Sequence, residues 1–256
     1  MFKNCNSEKK IMSDESSDFS RIFTYAIDFY LKRQKLIILF SIPFILATII
    51  VTLVSAPTYM ALGGVFLRTG SIPELSIIDI AITALGYALA VFLISDSIVN
   101  INIIIRSKRT VTQVTSDIVE AMGTHATRLF YIYTLMMLLM FIVQLVMYDN
   151  PYESWIYPIF LLVISFVLFF VAPAVVIDNS DTPTAIRRSI SVALKKPQMV
   201  IVWAVLAFLC LSITKLIADL IFSSPFSSYF TLLVNSLFIL PFLIVLQTQM
   251  YMEKYP

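Results

Sequence analysis

The chain is 256 residues long, 59% hydrophobic and only 13% charged, with a mean hydropathy of +0.89. Soluble domains carry about a quarter charged residues, so a water-soluble globule is excluded and the length is better counted in membrane spans of about 20 residues. The net charge of +2 is small, and the position of the charges says more than their sum.

Residues 1–16 are polar and are expected to form a disordered cytoplasmic tail, because they bury nothing. No apolar core follows the basic start, so this stretch does not read as a secretory signal peptide. Residues 17–256 read as one integral membrane domain. Its first segment places Phe19, Ile22, Phe23, Ala26, Ile27 and Tyr30 at helical spacing, with Asp18, Arg21, Asp28 and Lys32 elsewhere on the helix. Leu36–Ala56 is the first span, Pro57–Ser76 an outer connection and Ile77–Ile104 the second span. Val111, Val114, Ile118, Met122 and His125 line up ahead of the third span, Leu129–Met147, and Trp155–Ile177 is the fourth. His125, the sole histidine, is expected at the surface near the membrane interface. Ile186, Ile190, Ala193 and Leu194 form one stripe, with Arg187, Arg188, Ser191 and Lys195 opposite. Thr182-Pro183 reads as N-cap and first helical position for that segment. Met199–Phe222 and Tyr229–Tyr251 complete the six spans.

Lipid offers the backbone no hydrogen-bond partner, so continuous runs of this length must be helices. The expected fold is all-α: a polytopic membrane protein with six transmembrane helices in three hairpins. Each hairpin is preceded by a cytoplasmic amphipathic interfacial helix, giving units of about 17–105, 106–178 and 179–256. Sixteen of the 18 basic residues fall on one side. They lie ahead of span one, in the second–third and fourth–fifth connections, and in the C-terminal tail; Arg68 is in an outer loop and Lys215 within a span. The excess of basic residues puts both termini in the cytoplasm of a multi-pass cell-membrane protein.

Residues 169–206, FFVAPAVVIDNSDTPTAIRRSISVALKKPQMVIVWAVL, carry a pattern of Pro173, Asp178, Arg188-Ser189 and Lys196-Pro197. This segment, together with DFSRIFTYAIDFYLKRQKLIILFSIPFI at 18–45, resembles uncharacterised six-helix prokaryotic membrane proteins. That family is allied to the membrane domain of glycerophosphoryl diester phosphodiesterases. The resemblance implies a fold more than a function, and the soluble phosphodiesterase domain of the fused relatives is absent from the sequence.

Ionisable groups within spans are the first place to look for chemistry, because charge at mid-bilayer is costly. Asp96 and Asn100 share a helix face at i, i+4, and so do Lys215 and Asp219. Each pair reads either as part of a polar intramembrane site or as an interhelical or interfacial contact. Gln144, Asn235 and Gln247 are expected to bond between helices, and Pro43, Pro158, Pro173 and Pro241 to bend spans. Arg187, Arg188, Lys195 and Lys196 are read as lipid-headgroup contacts, each contributing about 1 kcal/mol of attraction to an anionic surface. No phosphate-binding glycine loop, dinucleotide fingerprint, zinc-protease motif or nucleophile elbow occurs. Two cysteines, Cys5 and Cys210, build neither a disulfide framework nor a metal site.

The expectation is therefore a non-catalytic membrane protein: a scaffold, accessory subunit or lipid-contacting factor, with no cofactor and no metal. A small transporter or channel with a polar intramembrane path is the alternative. Expected partners are anionic membrane lipids on the cytoplasmic side, and a protein partner or further copies of the chain; nucleic acid is not expected.

Overall fold

A computed structural model describes residues 4–54, 77–110, 116–147 and 150–253. The described chain is helical, with no strand among the described residues. The helices are α1 (Asn4–Val54), α2 (Ile77–Thr110), α3 (Ser116–Met147), α4 (Glu153–Leu168), α5 (Val171–Ile177), α6 (Thr182–Lys195), α7 (Pro197–Ile221), α8 (Phe226–Val234) and α9 (Leu240–Met252). A π-helical turn, Asn235–Ile239, joins α8 to α9. Six stretches are long and apolar enough to cross a membrane: Phe19–Val54, Ala81–Ser107, Gly123–Met147, Ser154–Ile177, Pro197–Ile221 and Phe226–Met252. Each contains most of one expected span, so the fold is the six-span all-α architecture. The outer connection Pro57–Ser76 and the side chains of 111–122 lie outside the described residues.

The segments ahead of spans one and three run unbroken into them, as α1 and α3. α1 begins at Asn4 and so includes part of the stretch read as a tail; extending a helix that a span has already nucleated costs little. The third segment, α6, is separate. It ends at Lys196 (φ −133, ψ 59), as the residue before a proline disfavours helical geometry.

Spans pair as hairpins: α1 with α2, α3 with α4–α5, and α7 with α8–α9. What joins the hairpins is concentrated at the end of the molecule that carries Arg106, Arg128, Arg188 and Lys195, here the basic end. Many of the largest fully buried side chains come from there: Phe29 on α1, Val99 and Ile101 on α2, Leu129 on α3, Val171 on α5, and Leu246 and Tyr251 on α9. The short helix α5 sits at the centre, with six of its seven residues buried. It touches α2, α3, α6 and α9.

At the opposite end, large apolar side chains face outward: Leu53, Leu85, Phe141, Leu162, Phe208 and Leu220 are all exposed. In water such a surface would be an aggregation liability; in lipid it is the expected solvent-facing surface. Lipid tails remove the hydrophobic drive for helices to associate, so close packing there needs small residues. The first hairpin has them. Ala47 of α1 and Ala90 of α2 are each 1% exposed, and Gly86 completes a Gly-x-x-x-Ala spacing. A Cβ on Gly86 would stand 2.6 Å from Val54 Cγ2, and valine is too stiff to step aside cheaply. The other two hairpins do not pack along each other. α4 lies on α3 and α6, whereas α7 lies on its own hairpin partner and α6.

Gly86→Ile is expected to destabilise the fold by about 1–3 kcal/mol through overpacking. Gly123→Ala, where nothing lies within 4 Å of the added carbon, should be neutral or stabilising by up to about 1 kcal/mol. Thermal unfolding in mild detergent, followed by tryptophan fluorescence, compares the two directly.

Candidate functional site

The centre of the basic end is a broken helix and the side chains that repair it. Pro173 has no N–H, so the carbonyl of Phe169 loses the donor that would normally come from four residues on. The fourth span accordingly opens at Phe169–Phe170, between α4 and α5. Two distant side chains fill the gap. Gln247 Nε2 of α9 donates to the Phe169 carbonyl. Ser189 of α6 accepts from Phe170 N at 2.9 Å and donates to the Val167 carbonyl at 2.6 Å. Trp203 Nε1 of α7 donates to the Leu243 carbonyl at 2.9 Å, and its ring meets Phe169 edge-on at 5.0 Å. The break is thus the joint at which α6, α7 and α9 meet the fourth span.

Two turns further on, α5 ends at Asp178, whose side chain is 7% exposed. Its carboxylate accepts from Arg188 of α6 and from Tyr251 Oη of α9, both at 2.6 Å. Arg188 also donates to Ser180 Oγ at 2.9 Å. Asn179 adopts φ 47, a left-handed conformation that asparagine tolerates. One end carbonyl of α5, which lacks a partner within the helix, is met by an arginine from the first hairpin, and the loop that follows is met by one from the second. Arg106 of α2 donates to the Val176 carbonyl at 2.9 Å, and Arg128 of α3 lies 3.4 Å from the Ser180 carbonyl and from Asp181. The N-cap position of α6 is Asp181, one residue before the expected Thr182, and its carboxylate faces Arg128 instead of capping the helix. His125 is 3% exposed and stands near Arg106 and Arg128, with no hydrogen bond at Nδ1. This corrects its expected surface position: His125 is packed into the joint.

The intramembrane pairs both form. Asn100 Nδ2 donates to Asp96 Oδ2 at 2.9 Å. Asn102, two residues on, faces away and accepts from Thr248 of α9 at 2.6 Å. Lys215 Nζ donates to Asp219 Oδ1 at 2.8 Å, with both side chains about half exposed. Ser227, at the start of α8, was not anticipated: it donates to Asp219 and accepts from Lys215 at 3.0 Å. A lysine beside a serine hydroxyl is one route to a nucleophile. Here the ammonium is held by Asp219 and Ser227 is 2% exposed, so the trio ties the hairpin end and offers no reactive oxygen.

Of the four basic residues read as headgroup contacts, Arg188 is drawn inward onto Asp178. Arg187 and Lys195 are exposed, Lys196 is partly so, and none of these three has an acidic partner among the described residues. Gln247 bonds between helices as expected; Gln144 is exposed, and Asn235 leaves its buried Oδ1 without a partner. Helices break or bulge near Pro173 and Pro241 and continue through Pro43 and Pro158. No cluster of three metal-ligating side chains occurs among the described residues.

The fold and this joint define a multi-pass α-helical membrane protein whose spans are tied together at one end. Comparison with protein-family models, with curated proteins and with solved structures gave no match.

Asp178→Ala should be the most damaging single change at the joint, costing on the order of 2–4 kcal/mol by leaving Arg188 and the buried Tyr251 hydroxyl without their acceptor. Ser189→Ala should cost about 1–3 kcal/mol, and Lys215→Met less than about 1 kcal/mol, its pair being half exposed. Denaturant titration in detergent micelles measures all three.

Proposed function

We propose that the protein is a non-catalytic membrane scaffold that engages anionic lipid at its basic end. One observation carries this reading. Three of the four cations on α6 and its exit have no acidic partner among the described residues, while Arg188 beside them is bonded to Asp178 and Ser180 in the joint. Some polar side chains elsewhere are engaged with one another: Asn102 with Thr248, Lys215 with Asp219 and Ser227. That pattern favours a fixed body over an open polar path.

The fold supports lipid contact at this place. α6 joins spans four and five, which do not pack along each other. Its buried face, Ala185, Ser189, Val192 and Ala193, is taken up by the protein, and Leu194 stays 65% exposed beside Lys195. A phospholipid can set its headgroup on Arg187, Lys195 and Lys196 and its tails against the apolar walls of α4 and α7. On this reading the basic end is cytoplasmic, where anionic lipid is enriched. The resemblance of 169–206 to the six-helix family is compatible with such a role: its Asp178, Arg188 and Ser189 are residues of the joint.

The test is retention of anionic lipid by native mass spectrometry after reconstitution in mixed phosphatidylglycerol–phosphatidylcholine nanodiscs. Arg187→Gln, Lys195→Gln and Lys196→Gln combined should remove most of the phosphatidylglycerol enrichment, by about 3 kcal/mol of attraction at low salt, and leave the unfolding temperature unchanged. Enrichment unaltered at both low and high salt would overturn the proposal.

A further inference from the structure

Near its end α9 carries three consecutive polar side chains, and two of them have partners. Gln247 donates to the Phe169 carbonyl, and Thr248 donates to Asn102 of α2. Gln249 is 8% exposed, yet its side-chain amide makes no hydrogen bond among the described residues. A buried amide that leaves its donors and acceptor unused is rare in folded proteins and calls for an explanation. Gln249 lines a cavity of about 170 Å³ between α1 and α9, together with Arg21, Ile22, Tyr25 and Glu253.

The cavity is well below the roughly 300–1,000 Å³ of a site for a drug-sized ligand, so it suits a single small polar group. Its charged residues are Arg21 and Glu253, with Arg21 Nη2 2.6 Å from Glu253 Oε1. A guanidinium has five N–H donors, and Glu253 Oε2 has no partner among the described residues. The ion pair can therefore stay closed while each member takes up a further group. One charge of each sign leaves the lining neutral. A simple anion meets Glu253 and a simple cation meets Arg21, whereas a zwitterion satisfies both. Tyr25, half exposed, adds an aromatic ring, a surface that attracts ammonium groups. Ile22, fully buried, adds an apolar patch.

We infer that this cavity binds a phosphoethanolamine group. The phosphate takes N–H bonds from Arg21 and from the Gln249 amide, a use for arginine's fork of donors. The ammonium donates to Glu253 Oε2 beside the Tyr25 ring, and the two methylenes between the charges lie against Ile22. A quaternary ammonium has no N–H to give Glu253, so ethanolamine is favoured over choline. The same group occurs as a phospholipid headgroup and as a free molecule, and the recognition is the same for both. The inference uses none of Arg187, Lys195 and Lys196 and is independent of lipid contact at α6.

The full-length protein would be placed in nanodiscs of equal parts phosphatidylethanolamine and phosphatidylcholine, and the retained lipid identified by native mass spectrometry. A second sample, in phosphatidylcholine alone, would be titrated with O-phosphoethanolamine by calorimetry. Phosphatidylethanolamine retained at least about threefold over phosphatidylcholine assigns the site to the lipid headgroup. One-to-one binding of O-phosphoethanolamine without lipid enrichment assigns it to the free molecule. In whichever sample responds, Gln249→Leu, which keeps the buried volume but drops the amide, and Glu253→Gln should each abolish the preference or weaken binding at least about fivefold. Tyr25→Leu, at an exposed position, should weaken it about two- to fivefold. Arg187→Gln, Lys195→Gln and Lys196→Gln combined should leave it unchanged, which separates failure here from failure of lipid contact at α6. No preference in the first sample together with no binding in the second overturns the inference. So does a signal that persists in Gln249→Leu and Glu253→Gln, or, where those variants do not fold, in Tyr25→Leu.

Discussion

The carbonyl that Pro173 leaves without a donor is the constraint on which the rest of the structure turns. A broken helix in the middle of an apolar span exposes backbone groups that lipid cannot satisfy. The chain meets that cost with side chains from two other segments, Gln247 of α9 and Ser189 of α6. Once those segments are held at the break, Asp178 at the far end of α5 can accept from Arg188 and Tyr251 together. The hydrogen bonds that repair the break and the ion pair that follows it are one continuous arrangement over two helical turns. It joins the fourth span to the third hairpin, and Arg106 and Arg128 attach the first and second hairpins to its end.

Holding the molecule at one end has consequences at the other. Beyond the joint the hairpins face lipid with ordinary large apolar side chains, and the close pairing described there is that of α1 with α2 at Ala47, Gly86 and Ala90. A protein tied in this way has a fixed basic face and separate walls on the other side.

Much of the fold was legible because the signal for a span is long and local. The ends of four runs, at Val54, Met147, Ile177 and Ile221, were placed to within two residues from hydropathy alone, whereas the first and third begin well before the expected Leu36 and Leu129. The helix-spaced pairs Asp96–Asn100 and Lys215–Asp219 were equally visible, since both partners lie on one helix. What the sequence could not show was pairing at long range. Tyr251 is 73 residues from Asp178 and Gln247 is 78 from Phe169, and no periodicity connects them. His125 was misplaced because a lone polar residue ahead of a span looks the same whether it lies in the interface or inside a joint. Pro173 was the one available clue: a proline deep in a span leaves a carbonyl unmatched, and the pattern Asp178, Arg188-Ser189 and Lys196-Pro197 that follows it contains most of the repair.

The central claim, that the spans are held together at the basic end and are separate at the other, is tested most directly by distances between spin labels. Cys5 and Cys210 would first be replaced by serine. Label pairs would then be placed at Thr24→Cys with Thr184→Cys at the basic end, and at Tyr152→Cys with Phe226→Cys at the opposite end, all four positions being exposed. Electron–electron resonance in nanodiscs should give a narrow distribution for the first pair and a broad one for the second, and Asp178→Ala should broaden the first. A narrow distribution at the opposite end, or a basic-end distance indifferent to Asp178→Ala, would contradict the account.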